Sequence, residues 1–388
     1  MLTGTVPNVE AILESVEDLI CDYLTPNAKG IDEEGSFPRE NMTALAEAGL
    51  LGLMIPRELG GLGGTPSLYK EIVTRLAGAC ASTALVFVQH TSATAVMLYG
   101  AHQPYVQQRL RQIVEGKCLA TIAFSEAESG CYFFLPVSQA KSSGDDHFVL
   151  NTKKTMVTSA GEADIYVVST RSTFATNSMQ SDFFILERET EGFTLGGVWE
   201  GMGLRGNCSA PMTVKDCVVH RESLIGTEGE GFKIVQRSLL PMGQIGISSL
   251  NLGIAKAIFE QSVAYVKKRH YSHLDAGLSS FQSVQQTVGK MKVLYDQAEK
   301  SLQTVCRMME QGSIDMVSTL EVKVMACEAV MRMAEYSLNV CGGFAYSSHS
   351  PLERLIRDSK AGTIMGPTPE VLKELIGRTL LDVPAKLS

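Results

Sequence analysis

Lys154-Thr-Met-Val-Thr-Ser-Ala160 stands at the middle of a set of short motifs that runs through the chain. Working outward, Ala123-Phe-Ser-Glu126 precedes this segment and the glycine-rich Gly201-Met-Gly-Leu-Arg-Gly206 follows it. Further out lie Gly49-Leu-Leu-Gly-Leu-Met-Ile-Pro56 on the N-terminal side and Cys341-Gly-Gly343 on the C-terminal side. Each motif alone is common in proteins. Their order and spacing together decide the fold.

The composition is that of a globular protein with a large core. The chain has 388 residues, of which 45% are hydrophobic, so we expect about two or three domains. The formal net charge of −8 argues against a surface that binds the phosphates of nucleic acid. The seven histidines form no HxxxH or similar cluster, so no metal site is expected.

The same sequence argues against a secreted or membrane-bound protein. Its nine cysteines form no CxxC pair, which favours reduced thiols in the cytosol. No uninterrupted run of about 18 apolar residues predicts a membrane span. The first residues, Met1-Leu-Thr-Gly-Thr5, lack the basic region and apolar stretch of a signal peptide. We therefore predict a soluble, cytoplasmic protein.

Hydrophobic periodicity divides the chain into three predicted domains. Residues 1–119 show helical spacing, and the apolar stretch over 83–99 predicts a buried central helix. Residues 120–228 contain short strand-like runs, whose spacing predicts a small antiparallel barrel. After the glycine-rich boundary at 226–231, residues 229–388 again predict long helices. The expected fold is mainly α, with an N-terminal helical domain, a central β-barrel and a C-terminal helical bundle.

In this order and spacing, the motifs resemble those of the acyl-CoA dehydrogenase superfamily of flavoproteins, over about residues 8 to 385. The set also includes Gly60-Gly-Leu-Gly63 and Arg357-Asp358. The resemblance implies FAD as the cofactor, an acyl thioester as the substrate and the same succession of helices, barrel and helices. It also implies a homodimer or homotetramer, because relatives complete the FAD site with residues of a neighbouring subunit.

The resemblance places one group of flavin-binding residues on the barrel. The segment Ile122-Ala-Phe-Ser-Glu126 matches one whose backbone amides and hydroxyl, here Ser125, contact the pyrimidine edge of the ring. In the segment 154–158, Thr158 is expected to bond the flavin, and Met156 replaces a tryptophan that packs on it. The contacts predicted on this side are Ile122, Phe124, Ser125, Gly130, Cys131, Met156 and Thr158, and Cys131 also belongs to the predicted substrate site.

The resemblance places a second group of flavin contacts in the C-terminal region. Arg269 matches an arginine that reaches the FAD pyrophosphate of a neighbouring subunit, where its planar fork suits paired phosphate oxygens. The stretch 339–343 matches one that cradles the FAD of the partner. The residues after the turn at 366 are expected to face the adenosine end. This group consists of Arg269, Gln282, Asn339, Gly342, Gly343, Thr368 and Glu370.

Two positions that carry the catalytic glutamate in relatives are glycines in this chain. Dehydrogenation of an acyl thioester needs a base that takes the α-proton while a hydride leaves the β-carbon. One family position for this base is the C-terminal turn, where Gly366 stands, and the other falls on Gly243. Gln244 replaces the arginine beside the second position and is a predicted substrate contact. Pro241 replaces an acidic residue that contacts the pantetheine arm in some relatives.

Three functions are compatible with these replacements. The first is an oxidoreductase for an acyl thioester on CoA or, as we favour, on an acyl carrier protein, with a base other than the usual glutamate. The second is a flavin-dependent monooxygenase or oxidase, in which His90 is the candidate acid or base. His90 also matches a structural histidine of ordinary dehydrogenases. The third is a non-catalytic scaffold, with or without FAD. The expected electron acceptor is an electron-transfer flavoprotein or O2.

Overall fold

A computed structural model of the chain describes residues 8–383, with helices at both ends and two small sheets between them. Residues 1–7 lie outside the described residues. The prediction that the chain lacks a signal peptide concerns these residues. The helices of the N-terminal part are α1 (Val9–Leu19), α2 (Thr25–Glu34), α3 (Arg39–Glu47), α4 (Pro66–Ala79), α5 (Ala81–Met97) and α6 (Pro104–Val114).

Helix α5 is the central helix that the apolar sequence over 83–99 predicts. It is apolar on all sides because other elements cover nearly its whole length. With the turn that follows, Ala81–Gly100 is the one stretch among the described residues that is long and apolar enough to cross a membrane, by length and composition alone. Inside the protein, 89% of the most apolar 18-residue window of this stretch is buried. The cytoplasmic location stays a prediction.

The strands of the middle part form two sheets and do not close into the predicted antiparallel barrel. The sheets have the orders β1-β4-β5 and β2-β3-β7-β6. Strand β1 pairs with β4 in parallel, with Ala120 opposite Ile165, so the antiparallel prediction is also wrong for this pair. The strands are β1 (Ala120–Ala123), β2 (Lys141–Ser142), β3 (His147–Val157), β4 (Ile165–Arg171), β5 (Ser181–Glu187), β6 (Phe193–Leu195) and β7 (Ala210–His220).

A different core covers each face of the first sheet. Along β4 and β5, Val167 and Ile185 pack into the helical core. Their neighbours Val168 and Phe184 pack into the core between the two sheets. Strand β3 of the second sheet instead alternates buried and more exposed residues, since its outer face meets solvent. The sheets are therefore stacked between the helices and the solvent.

The C-terminal helices surround α8, which packs against α4, α5, α9 and α10. Helices α4 and α8 approach closely at Gly253, where a Cβ would lie 2.3 Å from the Thr74 carbonyl oxygen. The domain bounds 1–119, 120–228 and 229–388 stay a prediction. The helices are α7 (Gly231–Ile234), α8 (Leu240–Lys268), α9 (Gln282–Glu310), α10 (Met316–Cys341), α11 (Gly343–Tyr346), α12 (Pro351–Asp358), α13 (Ala361–Ile364) and α14 (Pro369–Leu380), with the hairpin β8 (His270–Tyr271) and β9 (Ala276–Gly277) after α8.

Candidate active site

A cavity of about 490 Å³ lies where the sheets meet the helices of both ends. Its walls come from α5, from the ends of β1 and β3, from the loop over 199–209, from the first turns of α8 and from the segment 360–367. No aspartate or glutamate of the described residues lines this cavity, whereas Lys323, Arg357 and Lys360 do. The cavity therefore joins all parts of the chain and has a cationic rather than an acidic lining.

The flavin contacts predicted on the sheet side all belong to this cavity. The segments that carry them meet because the Thr155 N–H donates to the Ser125 carbonyl oxygen at 2.8 Å. On the same wall, Thr158 Oγ1 lies 3.3 Å from Ser209 Oγ, and the Met156 side chain is half exposed. Hydroxyl groups thus stand among apolar side chains. The predicted residues that line the cavity are Ile122, Phe124, Ser125, Gly130, Cys131, Met156 and Thr158.

The two glycines at the family's base positions line the cavity from the C-terminal helical part of the chain. At Gly243, a Cβ would meet no atom within 4 Å, so the space beside it is open. At Gly366, a Cβ would lie 3.4 Å from the Phe133 ring and 3.5 Å from the Cys131 carbonyl oxygen, which leaves room for a side chain. Gln244 also lines the cavity, and its buried Oε1 has no hydrogen-bond partner in residues 8–383. A buried acceptor of this kind is stabilised when a ligand donates to it.

His90 makes structural contacts with the backbone, and its acid or base role stays a prediction. The imidazole is fully buried in α5 and does not line the cavity. Its Nε2 lies 3.0 Å from the Leu51 carbonyl oxygen, and its Nδ1 accepts the Ala120 N–H at 3.0 Å. Burial lowers the pKa of His90 to about 4, so the ring is neutral near pH 7. Both nitrogens are engaged, and neither is free for a substrate.

The second predicted group of flavin contacts does not reach the cavity within one chain. Arg269 ends α8, and its guanidinium lies over the Tyr271 ring at 5.1 Å from the centroid. Thr368 is half-buried before α14, and Glu370 contacts Lys373 in a separate shallow groove. A role in the FAD site of a neighbouring subunit stays a prediction for this group. Its exposed members are Arg269, Gln282, Asn339, Gly342, Gly343 and Glu370.

A buried ion pair that the sequence analysis missed lies directly behind the sheet-side wall. Lys154 Nζ donates to Glu126 Oε1 at 2.7 Å and to the Ser169 carbonyl oxygen at 2.6 Å. The other carboxylate oxygen accepts the N–H groups of Val137 and Ser138. Glu126 immediately follows Ser125 in the chain, so the pair fixes the strand end that lines the cavity. The sequence did contain a signal for this pair, because the motif over 123–126 contains Glu126 and the motif over 154–160 contains Lys154.

Lys323 is the other charged residue that the sequence analysis missed. It lies on α10, is 1% exposed and lines the cavity. Its Nζ donates to the carbonyl oxygens of Met365 and Pro367, at 2.9 and 2.8 Å. A signal was present in the sequence, because Lys323 stands at helical spacing from Leu320 and Cys327, both of which are buried. A lysine on the buried face of a helix departs from the usual pattern.

Three family models match the chain, one after another. The model of the acyl-CoA dehydrogenase N-terminal domain matches residues 7–117. The model of the middle domain matches residues 121–217, and that of the C-terminal domain matches residues 229–381. Together the three models span nearly the whole sequence.

Individual relatives agree with these models. The chain is 28% identical over 369 residues to the short-chain specific acyl-CoA dehydrogenase of Clostridium acetobutylicum, covering 95% of this chain and 96% of the relative. The butyryl-CoA dehydrogenase of Megasphaera elsdenii has a similar structure, with a TM-score of 0.91, 27% identity and coverage of 98% and 100%. A prolyl acyl carrier protein oxidase, 20% identical with a TM-score of 0.87 and coverage of 95% and 98%, shares the fold.

Proposed function

Because this chain belongs to the acyl-CoA dehydrogenase superfamily, we propose that it is an FAD-dependent oxidoreductase acting on the CH–CH bond beside the carbonyl of an acyl thioester. The cavity is the observation that carries this proposal. It is lined by the residues predicted to bind flavin and by Gly243 and Gly366, where relatives hold the base. A place for the ring and a place for proton transfer thus border the same space.

The lining suits the isoalloxazine ring in its chemistry. Ser125 and Thr158 offer hydroxyl groups, and Phe124 and Met156 offer apolar contact. Trp199 also lines the cavity, and its buried Nε1–H has no acceptor within residues 8–383, so a ligand would provide one. When bound, FAD supplies the acceptor for the hydride that leaves the β-carbon. The side chains named here bind and orient the reactants and exclude water from them.

The proton transfer must use a group other than the family glutamate. No carboxylate lines the cavity in the part of the chain that the structure describes. The two glycines instead leave volume beside the ring, which suits a bulkier or more polar acyl group. We therefore place the difference from relatives in the base and in the shape of the acyl site.

Of the two carriers of the acyl group, we favour an acyl carrier protein. Relatives contact CoA through an acidic residue and an arginine at positions that hold Pro241 and Gln244 here. Both of these residues are buried, and neither carries a charge that could pair with the carrier. A carrier protein delivers its thioester through contacts on the protein surface and needs fewer contacts along the pantetheine arm.

The alternative functions receive less support from the site. The oxygenase hypothesis relied on His90, both of whose ring nitrogens are engaged with the backbone. A scaffold without flavin would have lost its cofactor residues, but the sheet-side residues predicted to bind flavin all line the cavity. An oxidoreductase with an altered base accounts for both observations.

Anaerobic spectroscopy tests the proposal. We expect a yellow protein with about one FAD per subunit, whose flavin absorbance bleaches with a saturated acyl thioester, faster on a carrier protein than on CoA. Reoxidation by an electron-transfer flavoprotein or by O2 then identifies the acceptor. A colourless protein that takes up no added FAD would favour the scaffold, and a hydroxylated product with O2 uptake would favour the monooxygenase.

A further inference from the structure

Lys323 holds the turn that contains one of the two missing base positions. The two carbonyl oxygens that accept from its Nζ belong to Met365 and Pro367, the residues on either side of Gly366. Lys323, Gly366 and Cys131 all line this cavity, and a Cβ on Gly366 would lie 3.5 Å from the Cys131 carbonyl oxygen. The amine therefore lies next to the place where relatives present a carboxylate.

The charge of Lys323 is not balanced by an acid. None of the ion pairs formed within residues 8–383 involves it, although the side chain is almost fully buried. The titratable groups that act on it are the thiols of Cys131, from the loop after β1, and Cys327, one turn further along α10. Burial lowers the pKa of Lys323 to about 8, because the two thiols raise it only weakly against the loss of water. A neutral amine is therefore accessible under mildly basic conditions.

The hydrogen bonds of the amine leave one direction on the nitrogen without a partner among residues 8–383. A lysine nitrogen is tetrahedral, and its carbon and the two carbonyl contacts occupy three of the four directions. In the neutral amine both protons are donated to the carbonyls, and the fourth direction holds the lone pair. The two hydrogen bonds thus orient a base as well as anchor a turn.

We propose that Lys323 takes the α-proton of the acyl thioester in place of the glutamate that is absent at Gly366 and Gly243. This inference rests on the proposed function and identifies its base. The Cα–H bond breaks and an N–H bond forms on Nζ. The electron pair left on Cα forms the Cα=Cβ double bond as the β-hydrogen leaves as hydride to a two-electron acceptor of the flavin class. After product release, the proton returns from Nζ to solvent.

A purely structural role for Lys323 is separated from a base role by matched substitutions. Lys323→Arg keeps a cation and donors for both carbonyls but cannot lose its proton near pH 8. Lys323→Gln keeps one donor and no charge, and it provides a second variant if the arginine does not fit. Lys323→Ala opens a space for an added amine. Circular dichroism and FAD content report whether each variant folds.

The deciding measurement is exchange of the substrate α-proton with D2O, read by mass spectrometry under anaerobic conditions. Butyryl thioesters of CoA and of an acyl carrier protein serve as probes. In the wild type, the exchange rate should rise with pH and level off above about 8. In Lys323→Arg and Lys323→Gln, we expect a loss of about 10²–10⁴-fold, the usual contribution of a positioned base. Methylamine should partly restore exchange in Lys323→Ala, whereas sodium chloride of equal ionic strength should not.

Titration of the amine gives a readout that does not depend on turnover. The 13Cε signal of labelled lysine, assigned by its disappearance in Lys323→Arg, should titrate near pH 8. Folded, FAD-loaded arginine and glutamine variants that exchange with the wild-type rate and pH profile would overturn the inference and leave the proposed function standing. A wild type that binds no FAD, or whose flavin no acyl thioester bleaches, would overturn the proposed function itself.

Discussion

The backbone N–H of Leu204 donates to Oδ1 of Asp358 at 2.6 Å and so joins the loop over 199–209 to the end of α12. The contact is close, because a Cβ on Gly203 would lie 2.7 Å from the Arg357 carbonyl oxygen. Arg357 also donates to the Met202 carbonyl oxygen at 2.9 Å. The glycine-rich motif and the Arg-Asp motif therefore form one joint, and that joint builds part of the cavity wall.

We expect Asp358→Ala to destabilise the protein by about 1.5–3 kcal/mol in urea unfolding, since it removes a charged acceptor from a buried N–H. Burial raises the pKa of Asp358 from 3.8 to about 6, despite the Leu204 contact that lowers it. The protonated carboxyl of Asp358 therefore contributes its full stabilisation of the fold below about pH 3.8, and this contribution is lost as the pH rises through about 6. Asp358→Asn keeps the acceptor without the charge and should match or exceed the wild type at pH 8. An alanine variant as stable as the wild type would contradict this account.

Glu126→Ala should cost about 3–5 kcal/mol, because it leaves the Lys154 ammonium buried without its partner. Burial by itself raises the pKa of Glu126, but the attraction of Lys154 outweighs burial and lowers this pKa from 4.5 to about 2. The stabilisation is therefore complete above about 4.5 and is lost as the pH falls through about 2. The control replaces the pair by Glu126→Gln with Lys154→Met, which keeps an acceptor for the Val137 and Ser138 N–H groups and should recover most of the loss. A small cost for the single variant, measured by urea unfolding at pH 7, would show that the pair does not hold the strand.

His90→Phe should lower stability and leave the chemistry intact. It removes the partners of the Leu51 carbonyl and the Ala120 N–H, which we expect to cost about 1–3 kcal/mol. The folded pKa of about 4 lies below the ordinary 6.5, so wild-type stability falls as the pH drops from 6.5 to 4. The variant should lose this dependence. Thermal unfolding and the flavin reduction rate of FAD-loaded protein check both points, and a stable variant without turnover would restore the acid or base role.

In the Lys323→Gln background, restoring a carboxylate should raise dehydrogenation of simple acyl-CoAs by about 10²–10⁴-fold, because this variant lacks its positioned base. Gly243→Glu meets open space, and Gly366→Glu meets only ordinary contacts with Phe133. We expect the larger gain at Gly243, because Gly366 lies closer to the Phe133 ring and the Cys131 carbonyl oxygen. Gly289→Glu, on the exposed side of α9, makes the same change away from the cavity and should have no effect on stopped-flow flavin reduction. If neither cavity variant raises the rate of flavin reduction, neither glycine position can hold a working base.

Arg269→Ala should weaken FAD binding, since charge-assisted hydrogen bonds to phosphate contribute about 1.5–3 kcal/mol each. The weakening should shrink at high salt, where the charge is screened. Lys267→Ala, at the same exposed helix end, provides the control. Equilibrium dialysis measures the affinity, and light scattering at micromolar protein measures the expected dimer or tetramer. A monomer that retains FAD tightly would show that the subunit assignment is wrong.

The sequence predicts the helices better than the pairing of the strands. Helix α5 follows from an apolar run without turn residues, whose length fits a buried helix. Strand pairing depends on contacts between distant segments, and alternation along a strand does not reveal its neighbour. In β4, Tyr166 and Val167 are both apolar, although one faces the inter-sheet core and the other the helices. The periodicity therefore predicts strands but leaves an open sheet and a barrel equally possible.

The same limit applies to the candidate site. The motifs predict the sheet-side lining because each is a short segment whose residues stay together in the fold. The role of Lys323 could not be predicted from a short motif, because its two carbonyl acceptors come from the turn between α13 and α14, which is distant in sequence. The contacts of His90 are missed for the same reason, because the partners of its ring come from elements that no local pattern connects to it.

One face of the sheet β1-β4-β5 lies among the helices and the other against the second sheet. This arrangement limits the exchange of segments between relatives. Recombination between relatives at the seams of the middle segment would set foreign side chains at Val167 and Ile185 against resident helices. The helical and sheet portions therefore fit together as one packed unit. Because the cavity lies at that same seam, and the positions of Gly243 and Gly366 have room for a side chain, single replacements there can change the site without disturbing this packing.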